Sequence, residues 1–184
     1  MVYKEGKKTL KMDLTVIILI QLSAFCYGIY NIAQGRPVWI AYNVDGFELV
    51  RNNDLVDQNT QKALPQFQHP TWLKPKLVGV AFAKDAKTRN DDMFAEVMGG
   101  ISLAQKPERY VEFSQVQTQM KQKAQSLDLL QKYNNPNLVQ NTLAQYPEAN
   151  AFVPLKANEV DMTVLINKDQ GEVVQIVDLR PWGE

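Results

Sequence analysis

A run of nineteen residues without a charged side chain, from Leu14 to Ile32, constrains the fold of this chain more than any other feature. As an α-helix rising about 1.5 Å per residue it is about 28 Å long, which matches the hydrocarbon layer of a bilayer. A secretory signal has a shorter apolar core, of about 7 to 15 residues, and a small-residue cleavage site that is missing here. The sequence therefore predicts a transmembrane helix.

Two other interpretations of the run stay open at this stage. Cys26 raises that of a lipoprotein signal, although Phe25 stands where small residues normally precede a lipidated cysteine. The second is a buried helix of a soluble domain, although nineteen uncharged residues exceed what most globular helices bury. Because Cys26 is the single cysteine, no intrachain disulfide can form.

The charges around the run predict how the chain crosses the membrane. One basic residue, Arg36, closely follows it, whereas four precede it: Lys4, Lys7, Lys8 and Lys11. Lysines resist translocation, so the N-terminus is expected to stay in the cytoplasm. The chain then divides into a basic cytoplasmic segment over residues 1–12, a membrane helix over 13–34 and a folded domain over 35–184 across the membrane.

The composition of the expected domain excludes some functions. The whole chain has 184 residues and a formal net charge of +0, and the part beyond the span is slightly acidic. Its length is sufficient for one domain with a proper core. Without a basic surplus, nucleic-acid binding has no electrostatic support.

Strand patterns lie at both ends of the domain. Residues 38–50 read as two β-rich runs joined by Asp45 and Gly46, which suits a two-residue hairpin turn. Residues 76–83 form another strand pattern, and a final hairpin is expected around the turn at residues 168–171.

Helix patterns lie between the strands. One is predicted from about Thr88 to the pair Gly99 and Gly100, and a short one between Asn137 and Tyr146. The clearest covers residues 113–133, where apolar residues recur on one face: Val116, Met120, Ala124, Leu127 and Leu130. Strands at both ends with helices between them predict an α+β fold around a mostly antiparallel sheet.

Signs of catalysis or metal binding are missing from the sequence. The single histidine, His69, has neither cysteine nor second histidine near it, so a zinc site is not expected. Asp91 and Asp92 read as the acidic first turn of a helix, and Asp178 and Arg180 as a structural ion pair. No nucleotide-binding or hydrolase motif occurs, so neither enzyme activity nor a cofactor is predicted.

One face of the membrane helix carries small and polar residues. Spacings of three, four and three bring together Gln21, Ala24, Gly28 and Asn31. Ala24 and Gly28 form a small-xxx-small pair, and an amide in lipid gains from a hydrogen-bonding neighbour. This face is expected to pack against another helix; the alternative is a single tolerated glutamine.

At this point the chain resembles a known family, the TfpX/TfpZ type IV pilin accessory proteins. Residues 2–55 look like the start of that family's pattern, and the resemblance extends over nearly all of the sequence. The matching positions are Lys7, Lys8, Arg36, Pro37, Asp45, Gly99, Gly100, Pro107, Tyr110, Asp178, Arg180, Pro181 and Trp182.

The resemblance implies a bacterial inner-membrane protein with a periplasmic domain that supports pilin stability or pilus assembly, without catalysis or cofactor. Its partner would be the major type IV pilin. Family members usually begin with two further hydrophobic helices, which are not seen here and which would dock on the polar face of the span. Rival hypotheses are a membrane-tethered ligand sensor and a pilin-modifying enzyme.

Overall fold

The computed structural model describes residues 10–183, which divide into two compact units at Arg36. The first contains helix α1, Leu10–Gln34. Its part from Lys11 contains an 18-residue window with a mean hydropathy of 1.8 and fits a single-pass membrane anchor. The hydroxyls of Thr15 and Ser23 donate to the carbonyls four residues before them, which satisfies both groups within the helix.

The second unit is built on a β-sheet that has seven strands within the described residues. These are β1 Pro37–Asn43, β2 Gly46–Arg51, β3 Lys76–Val80, β4 Tyr110–Val111, β5 Ala151–Lys156, β6 Met162–Asn167 and β7 Glu172–Val177. They lie in the order β4-β3-β1-β2-β5-β6-β7. Three α-helices of this part of the chain complete the α+β fold: α2 Ala86–Gly99, α3 Gln117–Lys123 and α4 Pro136–Leu143.

The sheet is mixed, and antiparallel pairs predominate as predicted. β1–β2, β3–β4, β5–β6 and β6–β7 are antiparallel, whereas β1–β3 and β2–β5 are parallel. The parallel contact between β2 and β5 consists of two residue pairs, Phe47 with Leu155 and Glu48 with Lys156. This short seam joins the β4-β3-β1-β2 half to the β5-β6-β7 half.

Both predicted hairpins form, but the first turns one residue earlier than predicted. Asn43 pairs with Gly46, so the central residues are Val44 and Asp45 rather than Asp45 and Gly46. Tyr42 and Phe47, both buried with ring centroids 5.3 Å apart, pair across the hairpin and set this register. Val44 consequently has a φ of 57°, which is unusual for a β-branched residue.

The predicted long helix over residues 113–133 is wrong. Helix α3 ends before Ala124, whose ψ of 137° is extended, and a 3₁₀ helix follows at Leu127–Lys132. Between them, the backbone of Gln125 exchanges two hydrogen bonds with Phe152 of β5, at 2.8 and 3.0 Å. Pairing with a strand therefore replaces the helical hydrogen bonds of this segment.

The apolar positions predicted for that helix are nonetheless on the protein interior. Val116 and Met120 lie in a core cluster that covers one face of both halves of the sheet. Leu130 lies in a second cluster, on the opposite face of β5 and β6. Alternation along the strands explains the two layers, because Val153 points into the first cluster and Phe152 into the second.

Candidate protein-contact site

Helix α2 presents a row of large apolar side chains to solvent. The exposed fractions are 56% for Met93, 67% for Phe94, 79% for Val97 and 71% for Met98. Spacings of three and four residues place these side chains on one face of the helix. Together they expose on the order of 500 Å² of largely apolar surface, which is typical of an interaction site.

A buried ion-pair cluster attaches α2 to the domain. Asp92 is the buried residue of this helix, and its two carboxylate oxygens accept from two cations. Lys106 Nζ lies 2.8 Å from one oxygen and Arg109 Nε 2.7 Å from the other. The prediction that Asp92 belongs to an acidic first turn is therefore wrong: the helix begins at Ala86, and Asp92 lies in its second turn facing the domain.

The electrostatics of this cluster favour the charged carboxylate. Burial raises the pKa of Asp92, but the hydrogen bonds and positive charges of Arg109 and Lys106 outweigh it and leave that pKa below its ordinary value. The carboxylate is therefore ionised at neutral pH. Because both partners come from the segment that follows the helix, the cluster fixes which face of α2 is turned outward.

Both ends of α2 have the expected capping chemistry. The Asp85 carboxylate accepts from the backbone N–H of Thr88 at 2.8 Å, which makes Asp85 the N-cap. Gly100 ends the helix in the left-handed conformation, with a φ of 64°. The predicted helix is confirmed, and it begins two residues before Thr88.

Four of the family-pattern positions lie at the end of α2 or in the segment that follows it. Gly99 is its last residue and Gly100 is its C-cap. Pro107 is buried at the start of the 3₁₀ helix that carries Arg109. Tyr110 is buried against Trp39, with ring centroids 5.6 Å apart, and its hydroxyl donates to the Ala104 carbonyl. None of these positions belongs to the apolar row of Met93, Phe94, Val97 and Met98.

The family-pattern positions near the end of the chain form hydrogen bonds around Asp161. Arg180 forms the predicted ion pair with Asp178 and also donates to the Asp161 carbonyl. Trp182 Nε1 donates to the Asp161 carboxylate at 2.9 Å, next to Pro181. Since Asp178 is exposed, its ion pair adds little stability.

The remaining predicted positions belong to other elements of the chain. Arg36 donates to the Ala33 carbonyl at the end of α1, Pro37 opens β1 and Asp45 lies in the first turn. Lys7 and Lys8 fall outside the described residues.

The predicted packing face of α1 is open in the isolated chain. Gln21, Ala24 and Asn31 are exposed, and a Cβ added at Gly28 would meet no heavy atom within 4 Å. The Asn31 amide donates to the Tyr27 carbonyl at 3.0 Å within the helix. Helix packing through this face stays a prediction.

We searched residues 10–183 for metal-ligand clusters and for clefts with converging charged groups. Within residues 10–183, no group of three His, Cys, Asp or Glu residues could hold a metal ion, and His69 is exposed. A cleft of about 440 Å³ at the β2–β5 seam is lined by side chains of both charges, among them Glu48, Lys123 and Lys156. Because its lining carries both charges, this cleft does not favour a ligand of either charge.

Sequence reasoning missed the outward face of α2, although the signal was present. Four apolar residues in the helix 86–99 recur at spacings of three and four, as in any amphipathic helix. The sequence alone did not identify the ion-pair partners of Asp92, because they lie 14 and 17 residues further along the chain.

Comparison with known sequences finds relatives that are described as fimbrial assembly proteins. The sequence is 30% identical over 166 residues to a Dichelobacter nodosus protein described as fimbrial assembly protein, serogroup E1, and the match covers 86% of this chain. The chain is thus similar in sequence to fimbrial assembly proteins. The serogroup I protein of the same organism matches with the same identity and coverage, and the protein of serogroups C1 and C2 is 42% identical over 45 residues.

The match covers only part of each relative. The chain spans 64% of the length of the E1 and I proteins. No protein-family model matches the sequence, and no solved structure matches it. The expected connection to fimbrial assembly is thus supported, while the narrower TfpX/TfpZ assignment stays a prediction.

Proposed function

We propose that this protein is an accessory factor of type IV pilus assembly that supports the pilin pool through protein–protein contacts, without catalysis. The observation that carries the proposal is the homology to two fimbrial assembly proteins over 86% of the chain. The exposed apolar face of α2 agrees with it, because such a face is suited to binding a protein partner.

In this proposal α1 anchors the protein in the bacterial inner membrane and the domain from Pro37 onward lies in the periplasm. The lysines before the span favour that orientation. The partner is the major pilin, which has a hydrophobic N-terminal helix in the same bilayer before it enters the fibre. The Gln21, Ala24 and Gly28 face of α1 would contact that helix within the membrane.

Outside the membrane, the partner surface is the apolar face of α2. Methionine side chains adapt their shape, so Met93 and Met98 suit a partner whose sequence varies. The ion pairs of Asp92 hold this face outward before the partner arrives, so less ordering is required on binding.

The test is complementation of a deletion strain, with immunoblots of the major pilin in cells and in the sheared surface fraction. We expect deletion to lower pilin and the wild-type gene to restore it. Val97→Glu places a charge in the centre of the α2 face and is expected to fail, although the protein accumulates normally. Leu138→Glu, on the half-exposed Leu138 of α4, is the matched control and should restore pilin.

Direct contact is tested by a photo-reactive amino acid at Val97, at Gly28 or at the control position Leu138. We expect adducts that contain pilin from the first two positions and none from the third. Pilin levels that do not change in the deletion strain would refute the proposed function. Loss of pilin without adducts would refute direct contact only.

A further inference from the structure

Two highly exposed large apolar side chains of the domain lie at a loop tip outside α2. Trp72 is 77% exposed and Leu73 97% exposed, in the loop between the 3₁₀ helix Pro65–Phe67 and β3. Burial in the domain therefore does not explain these two residues, and neither belongs to the α2 face.

The loop has a defined shape. The Thr71 hydroxyl oxygen lies 2.6 Å from the Lys74 carbonyl, which closes the turn that carries Trp72 and Leu73. Pro70 and Pro75 restrict the backbone on either side. A tip of this kind presents its two apolar side chains without first having to become ordered.

The position of the tip follows from chain connectivity. The Thr71 hydroxyl also lies 3.2 Å from the carbonyl of Val38, in the first strand of the domain. Val38 follows the end of α1 at Gln34 by four residues, which span at most about 14 Å when fully extended. If α1 crosses the membrane, this connection limits how far the base of the loop can lie from the end of α1.

The composition of the loop matches a lipid interface. Tryptophan is enriched at the boundary between lipid and water, where its ring meets the acyl chains and its N–H stays hydrated. Lys74 and Lys76 are exposed beside the tip, and no acidic residue occurs from Gln68 to Lys76. This surplus of positive charge complements anionic phospholipid headgroups.

We propose that Trp72 and Leu73 insert into the membrane interface, with Lys74 and Lys76 against anionic headgroups. The inference rests on the proposed placement of α1 in the membrane. The domain then has two membrane contacts, α1 and this loop, and the second limits its rotation about the first.

The test uses the full chain in vesicles of phosphatidylethanolamine and phosphatidylglycerol. In a Cys26→Ser background, an environment-sensitive dye is attached at Leu73→Cys or, as the control, at Leu138→Cys. We expect lipids with a spin label near the headgroup to quench the dye at residue 73 at least threefold more strongly than the dye at 138. Iodide, which stays in water, should show the opposite preference.

The charge contribution is tested in the same assay with Lys74→Gln and Lys76→Gln. Each is expected to lower the lipid-inserted fraction of the dye by up to about fivefold in vesicles that contain the anionic lipid. Neither should change it in vesicles of phosphatidylethanolamine and phosphatidylcholine. Equal effects in both would refute the headgroup pairing.

Several outcomes would overturn the inference. A dye at residue 73 that iodide quenches as strongly as the control would show a tip in water. Protection from iodide without quenching by the labelled lipids would show a tip covered by protein. Release of the chain from the vesicles by alkaline carbonate would show that α1 does not span the membrane, and the inference would lose its basis. The pilin immunoblots report separately on the proposed function, so the two failures are distinguishable.

Discussion

Replacing Asp92 by asparagine tests whether the buried ion pairs hold α2 in place. The substitution keeps the shape of the side chain but leaves Lys106 and Arg109 without a compensating charge. Breaking a buried ion pair costs about 3–5 kcal/mol, and we expect about 3 kcal/mol because Arg109 keeps some access to water. With a urea m-value of about 2 kcal/mol per M, the unfolding midpoint should fall by about 1.5 M.

The assay is urea unfolding of the full chain in detergent, followed by circular dichroism. Asp91→Asn is the matched control, because it makes the same change at the exposed neighbouring residue and should cost less than about 0.5 kcal/mol. Combining Asp92→Asn with Lys106→Met should cost less than the sum of the two single changes. Equal midpoints for Asp92→Asn and Asp91→Asn would refute this account of α2.

The difference between wild type and Asp92→Asn should also depend on pH. The pKa of Asp92 lies below its ordinary value in the folded state, so the unfolded chain binds a proton at higher pH than the folded chain does. The stabilisation is therefore complete above about pH 5, well above the unfolded pKa of about 3.9, and is lost as the pH falls through the folded pKa. The two unfolding midpoints should converge in acid and stay apart from pH 5 to 8.

Two glycine predictions follow from the backbone, both measured as urea midpoints. Gly79→Ala should lower the free energy of unfolding by about 2 kcal/mol, because its Cβ would lie 2.7 Å from both γ-carbons of the buried Val116. Combining it with Val116→Ala should recover part of the lost stability. Gly100→Ala should lower the free energy of unfolding by about 1 kcal/mol, because Gly100 has a positive φ. Gly99→Ala should raise it, because Gly99 is in α2 and an added Cβ would make no close contact. A change of the same sign in both variants would contradict this explanation.

Local signals in the sequence were sufficient for much of the fold. The apolar run predicted α1 because nothing but chain composition is needed to recognise a helix of that length. The closing hairpin was predicted from two β-branched runs around Gly171, whose φ of 78° fits a turn. The α2 helix was predicted because its ending glycines lie in the sequence itself.

Two of the errors share a non-local cause. Residues 113–133 have a continuous helical pattern, but Gln125 pairs with Phe152, which lies 27 residues further along the chain. Asp92 was misread for the same reason, since its partners belong to another segment. The exposed faces at α2 and Trp72 became recognisable once the exposed fraction of each large apolar side chain was known.

The seam between β2 and β5 gives the domain a preferred order of folding. Each half of its sheet comes from one continuous stretch of chain, residues 37–111 and residues 151–177, and two residue pairs join them. The first half has all of its own strands before the ribosome has added the second. Local pairing within each half closes shorter loops than the β2–β5 seam does, so we expect the β2–β5 pairing to form last. Pairing of β5 with β2 is then the step that completes the domain.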